Sequence, residues 1–219
     1  MAYDAHIHKV NNEKGGFVIG LEGVPYFEGA LNNSEVMKLH KPEENYISFY
    51  YVSRENCTRI VRHPYLKYHP RREKYTVEMV IKSIAANKPR AVIIDTLNEP
   101  FWVAYDYWKI VKFFSNVTFV LAHSGGYLVN DFIKICHFQP NVWIDFSSTQ
   151  TTLGHLGDKN TGLGYINDAI KYALHAPFCN RVLLGSDYPF CSQEDVFTFY
   201  NDYLELLDHN FINLMGVVK

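Results

Sequence analysis

Four short apolar runs in the second half of the chain, Ala91–Asp95, Val117–Ala122, Val142–Phe146 and Arg181–Ser186, are separated by segments long enough for a helix each. Continuous apolar runs of this kind suit strands buried on both faces, and parallel strands need a crossover that is usually helical. The intervening stretches Val103–Phe114, Tyr127–His137 and Tyr165–His175 read as those crossovers, and Glu194–Leu207 as a final helix. The rhythm therefore predicts a parallel sheet with helices outside it.

The first half adds four more strands by β-branched and aromatic content, one near residue 2 and then Phe17–Leu21, Tyr46–Val52 and Tyr65–His69. Asn33-Ser34 is placed to cap a short helix from Glu35 to His40, and apolar residues at helical spacing predict another from Tyr75 to Asn87. Ser53–Pro64 reads as a connection. The eight candidate strands thus begin near residues 2, 17, 46, 65, 91, 117, 142 and 181. Eight strands close a β/α barrel, and 219 residues sit at the lower end of its length range of about 200 or more. An open doubly wound sheet would carry a glycine-rich turn after its first strand, where this chain has Asp4-Ala-His-Ile-His8. The expectation is α/β class: one domain, residues 1–219, a compact (β/α)8 TIM-like barrel lacking a helix after strand one and another after strand three.

A formal charge of −2 gives no electrostatic case for nucleic acid or a membrane surface, and no apolar run reaches membrane-spanning length. Arg71-Arg72 reads as a solvated turn. The four cysteines, Cys57, Cys136, Cys179 and Cys191, include no Cys-x-x-Cys pair and fit the reduced thiols of a cytoplasmic protein. A small-molecule substrate is the expected partner, with a homo-oligomer left open.

Two histidines spaced by one residue share a strand face, so Asp4, His6 and His8 are expected to point one way and Tyr3, Ala5 and Ile7 the other. With 10 histidines in 219 residues such a pair arises by chance about 0.45 times per chain, so it weighs little alone. What adds weight is a polar residue at the end of one strand after another: His69, Asp95, His123, Asp145 and Asp187. Each has a plainer reading as a turn or capping residue. In a barrel, however, all these ends meet at one mouth. Imidazoles and carboxylates there suit a divalent ion, Zn²⁺ first and Mn²⁺ as the alternative. Asp187 is the carboxylate chosen to take a proton from water, and Lys67 and His69, sharing a face of strand four, are expected to contact substrate.

Asp4-Ala-His-Ile-His8, Val120-Leu-Ala-His-Ser-Gly-Gly126 and Leu184-Gly-Ser-Asp-Tyr-Pro-Phe190 resemble the three main signatures of the amidohydrolase-related family (amidohydrolase family 2), metal-dependent TIM-barrel hydrolases that include decarboxylases. Tyr65–Pro70 and Asn141–Asp145 are similar to that family's strand-four and strand-seven segments, and the likeness runs in order from residue 2 to about residue 190. The resemblance implies metal ligation by His6 and His8, His123 as ligand or substrate-polarising group, and Asp187 as ligand and proton shuttle. Asp95 stands where the family commonly has a ligating histidine. It is expected to join the metal set, and a carboxylate there favours harder ions such as Mn²⁺. The implied activity is attack of metal-activated water on an amide, lactone or ester-like bond of a small molecule. The alternatives are a non-oxidative decarboxylase of the same superfamily, or a binding protein or lapsed enzyme that has kept the barrel. Loops Asn11–Gly16, Phe101–Tyr107 and Thr149–Gly164 are expected to wall the pocket.

Overall fold

The computed structural model describes residues 2–10, 14–22, 29–97, 101–148 and 159–218, without the side chains of residues 159–164. Eight strands lie parallel in simple order: β1 Asp4–Ile7, β2 Gly16–Ile19, β3 Tyr46–Tyr51, β4 Tyr65–Tyr68, β5 Ala91–Asp95, β6 Thr118–Ala122, β7 Val142–Asp145 and β8 Val182–Leu183. Backbone bonds between β1 and the segment after β8 join the two ends of the sheet. Ala5 N–H reaches the Leu184 carbonyl at 2.7 Å, and the Asp187 and His8 amides reach the carbonyls of His6 and Tyr188, each at 2.7 Å. The TIM-like barrel expected from the strand count is therefore the fold.

The described helices include one not predicted, Pro70–Glu73, and one that starts at Lys159 where the sequence predicts Tyr165; before the C-terminal end the others keep their predicted positions with small shifts. The helices are α1 Asn33–Lys38, α2 Pro70–Glu73, α3 Val77–Asn87, α4 Ala104–Phe113, α5 Val129–Phe138, α6 Lys159–His175, α7 Gln193–Phe199 and α8 Leu204–Val218. Asn32, one residue earlier than expected, caps α1. Its side chain accepts from Glu35 N at 3.0 Å, while Glu35 accepts from Asn32 N at 2.7 Å. Among the described residues β1 and β2 have no helix between them, and β3 and β4 only the 3₁₀ turn Asn56–Thr58, so the two predicted omissions are real. The C-terminal end differs from expectation. The predicted helix Glu194–Leu207 is two, separated by the 3₁₀ turn Asn201–Tyr203, and α8 continues to Val218. It does so because Phe211, Leu214, Met215 and Val218 close the floor of the barrel, where they pack against its interior side chains.

Strand alternation divides the core in two. Phe17, Ile19, Ile47, Phe49, Tyr65, Ile93, Val120 and Leu183 fill the barrel. Leu66, Val92, Ile94, Phe119, Leu121 and Ile144 instead face the helical layer. On β4 and β5 the same alternation turns Lys67, His69 and Asp95 inward above the apolar filling. β1 breaks the rule. Its register with β2 pairs Asp4 with Gly16 but Ile7 with Val18, three residues against two, which is a bulge. Asp4 consequently does not share the metal-facing side with His6 and His8. Its carboxylate takes the amides of His6 (3.1 Å) and Ser186 (2.9 Å) and the Gln193 side chain (2.9 Å). Burial pushes that carboxyl up to about 6, against the pull of those hydrogen bonds.

Candidate active site

Strand ends β1, β4, β5, β6 and the segment after β8 converge on a cavity of about 290 Å³, lined by His6, His8, Leu21, Lys67, His69, Arg71, Asp95, Leu97, His123, Asp187 and Phe190. This is the C-terminal mouth of the barrel, where side chains from distant parts of the chain meet. Among the described residues two groups of donors are close enough to share an ion: His6, His8 and Asp187, and His6, His123 and Asp145.

The first group opens into the cavity. Asp187 Oδ1 lies 3.4 Å from His6 Nε2 and 3.2 Å from His8 Nε2. His8 donates from Nδ1 to the Ile19 carbonyl at 2.9 Å, leaving Nε2 as the nitrogen that faces Asp187. His6 Nε2 is buried and makes no hydrogen bond. Burial, reinforced by Lys67, pushes the His6 imidazole down to about 4 despite Asp145 and Asp187, so the ring is neutral at pH 7. Burial raises the Asp187 carboxyl, but the His8 hydrogen bond and the neighbouring imidazoles outweigh it and hold the group well below the carboxylate range. Ser148 donates to Asp187 Oδ2. Two imidazole nitrogens and one carboxylate oxygen form the donor set that a catalytic divalent ion takes, so these residues fit the metal the resemblance implies.

Opposite them, Asp95 Oδ2 lies 3.0 Å from His123 Nε2 and 3.3 Å from His69 Nε2, and Oδ1 lies 3.7 Å from Arg71 Nε. Burial opposes ionisation of Asp95, yet His69, His123 and Arg71 hold the carboxyl well below its ordinary value. In turn Asp95 raises the His123 imidazole above its usual value against burial, while burial pushes His69 down to about 3. Asp95 thus faces His123 and His69 on this wall, with His123 the nearer. Asp95 lies outside both donor groups found among the described residues. Lys67 sits between the two halves, 1% exposed, with Nζ making no hydrogen bond. Burial lowers its affinity for a proton, against Asp95, Asp145 and Asp187.

A family model described as amidohydrolase matches residues 106–210. No curated protein matches the chain in sequence. Among solved structures the chain is similar to an amidohydrolase from Burkholderia multivorans, 13% identical, covering 99% of each chain with a TM-score of 0.63. A protein from Pseudomonas putida described as a 2-pyrone-4,6-dicarboxylic acid hydrolase is also 13% identical, with 99% of this chain and 97% of that one covered and a TM-score of 0.61. 5-Carboxyvanillate decarboxylase from Sphingomonas paucimobilis is 11% identical, with 86% and 72% covered and a TM-score of 0.53. The fold these solved structures share with the chain is the TIM barrel.

Of the residues that the sequence places at strand ends, His6, His8, Lys67, His69, Asp95, His123 and Asp187 line this one cavity, whereas Asp145 lies behind His6 against Ser147. Three further contributors escaped the reading. Arg71, taken for part of a solvated turn, reaches the cavity and Asp95 because α2 begins directly after β4. The signal was its place two residues after a strand-ending histidine. Ser147 and Ser148, just past β7, hold His6 and Asp187 from behind, and a Ser-Ser pair carries no pattern of its own. Of the loops expected to wall the pocket, Asn11–Glu13 and 149–158 lie outside the described residues. The segment Phe101–Tyr107 turns elsewhere: Trp102 donates from its indole to the Tyr75 carbonyl at 3.1 Å and packs on Tyr107. Among the described residues no helix is long and apolar enough to cross a membrane.

Proposed function

We propose that the protein is a metal-dependent hydrolase cleaving an amide, lactone or ester-like bond in a small molecule that carries a carboxylate. The observation that carries this reading is the set of buried polar atoms without hydrogen-bond partners around one cavity: His6 Nε2 on one wall, Lys67 Nζ, His69 Nδ1 and Arg71 Nε on the other. Leaving such groups unsatisfied costs about 1–3 kcal/mol each, more when charged, so their concentration marks a place where a ligand completes them.

His6, His8 and Asp187 would hold the ion, Zn²⁺ or Mn²⁺. When bound, it supplies a Lewis acid that makes water a nucleophile near neutral pH. Asp187, ionised and with Oδ2 steadied by Ser148, would serve as the base that accepts a proton from the attacking water and returns it to the leaving group. His123, whose imidazole Asp95 favours in its protonated form, stands beside the oxygen that becomes negative as the bond is attacked. Lys67 and Arg71 take the substrate's carboxylate on the far wall, with His69 beside them. That assignment agrees with the dicarboxylic acid in the description of the Pseudomonas putida relative. The decarboxylase reading rests on the likeness to 5-carboxyvanillate decarboxylase and uses the same cavity.

Elemental analysis of protein purified without chelator, joined to a screen of carboxylate-bearing lactones, esters and amides, tests the proposal. Stoichiometric metal and hydrolysis that chelator abolishes are expected. Carbon dioxide release from aromatic acids without hydrolysis would transfer the site to the decarboxylase reading, and protein that takes up no metal and turns nothing over would leave only a binding role.

A further inference from the structure

We infer that Ser147 is a positioning residue whose hydroxyl fixes the His6 imidazole as the tautomer protonated on Nδ1, turning the Nε2 lone pair into the cavity. The inference concerns the tautomer and Ser147; only its consequence for metal affinity rests on the reading above.

Among the described residues three side-chain groups lie within hydrogen-bond distance of the Ser147 hydroxyl oxygen. His6 Nδ1 and His123 Nδ1 are each 3.0 Å away, and Asp145 Oδ1 is in direct hydrogen-bond contact. A serine hydroxyl has one hydrogen to donate and two lone pairs to receive. The single hydrogen can therefore serve only one of the three neighbours. Asp145 is fully buried and accepts the amides of His123 (3.1 Å) and Ser147 (2.9 Å) as well. As an ionised carboxylate it can only accept. His123 Nδ1 must carry a hydrogen, because it also lies 2.8 Å from the Ser147 carbonyl, which can only accept. The hydroxyl hydrogen thus goes to Asp145 and the two lone pairs face the imidazoles.

For His6 the remaining choice is decided by its surroundings. A bare Nδ1 would face the Ser147 lone pair and Asp145 Oδ2 at 3.4 Å, two acceptors and no donor. A hydrogen on Nδ1 satisfies all three atoms. At the other side of the ring Nε2 makes no hydrogen bond, so nothing there competes for the proton. The same arrangement explains the second donor group, His6, His123 and Asp145: its centre is filled by the Ser147 hydroxyl, which makes it the support of the metal-facing group and not a further cation site.

The two imidazoles depend on Ser147 unequally. His123 has the backbone carbonyl as a nearer acceptor, whereas His6 without the hydroxyl keeps only the 3.4 Å contact to Asp145. Long-range proton–nitrogen NMR on metal-free, ¹⁵N-histidine-labelled full chain reads each tautomer directly, with signals assigned through His6→Asn and His123→Asn. In the parent both rings are expected to carry a hydrogen on Nδ1. In Ser147→Ala, His6 is expected to gain the Nε2-protonated form while His123 keeps its pattern, and zinc affinity, measured against a chromophoric chelator, is expected to fall about 10-fold, as for other partners that orient a ligand. A parent His6 protonated only on Nε2, or an alanine variant with an unchanged His6 signature, overturns the inference. The parent spectrum tests it even if the variant does not fold. A parent that shows the Nδ1 form but takes up no zinc supports the role of Ser147 and overturns the metal reading instead.

Discussion

A Cβ placed on Gly185 would stand 2.8 Å from the Cβ of His6 and 3.1 Å from that of Ser147. The glycine of the Gly-Ser-Asp segment is therefore what lets the end of β8 press against β1 and bring Asp187 up to the two histidines. Gly185→Ala forces His6 or Ser147 to move, an overpacking expected to cost about 1–3 kcal/mol. Calorimetric unfolding should show the loss, and zinc titration a weaker site. Parent-like values in both would mean the segment relaxes without touching His6.

His6→Ala with His8→Ala is expected to reduce bound metal from stoichiometric to background in elemental analysis. Far-ultraviolet circular dichroism should be unchanged, because both side chains stand at the barrel mouth above the apolar filling. Metal content equal to the parent's would show that other residues hold the ion.

Lys67→Met and Arg71→Ala remove the two basic side chains of the far wall. Hydrogen bonds to charged groups contribute about 1.5–3 kcal/mol, so each change should raise KM for a carboxylate-bearing substrate roughly 10- to 100-fold. A neutral ester analogue should be nearly indifferent to either substitution. Equal losses on both substrates would point to damage of the pocket as a whole.

Asp95→Asn separates ligand from ion-pair partner. Asp95 is the chief group raising the His123 imidazole, so its neutralisation lowers that ring's affinity for a proton. Turnover is expected to drop about 100-fold, as when a charge-stabilising group is removed, with metal content intact. Loss of the metal itself would return Asp95 to the ligand set that its sequence position suggested.

At the opposite end of the barrel His63 is buried and packs edge-on against His40, with ring centroids 5.8 Å apart. Burial lowers both imidazoles below their ordinary 6.5, with Glu43 opposing at His40, and the Tyr65 backbone opposing at His63. A base whose folded pKa is lowered contributes stability that is full above its unfolded pKa and is lost as pH falls below it. Denaturant midpoints of the parent should therefore fall between pH 7 and pH 5, and those of His63→Gln should fall less. Identical slopes would place the acid sensitivity elsewhere.

Strand count, helix spacing and the identity of the site residues were legible because each depends on neighbours a few positions away. Ala91–Asp95 reads as buried strand from its own composition, and Asp187 is marked by the turn that follows it. The faces of β1 were not legible: alternation put Asp4 beside His6 and His8, and only the bulge against β2 turns it away. Nor was the partner of Asp95. Its place at a strand end said that it enters the barrel mouth, but β5 meets β4 and β6, whose His69 and His123 face it, while His6, His8 and Asp187 gather where β1 meets the end of β8. The amino-acid sequence by itself determined which residues reach the mouth, since strand periodicity is a local property of the chain. Which of them touch was decided by closure of the ring, because a contact between residues 6 and 187, or 6 and 147, depends on register and bulges summed around eight strands.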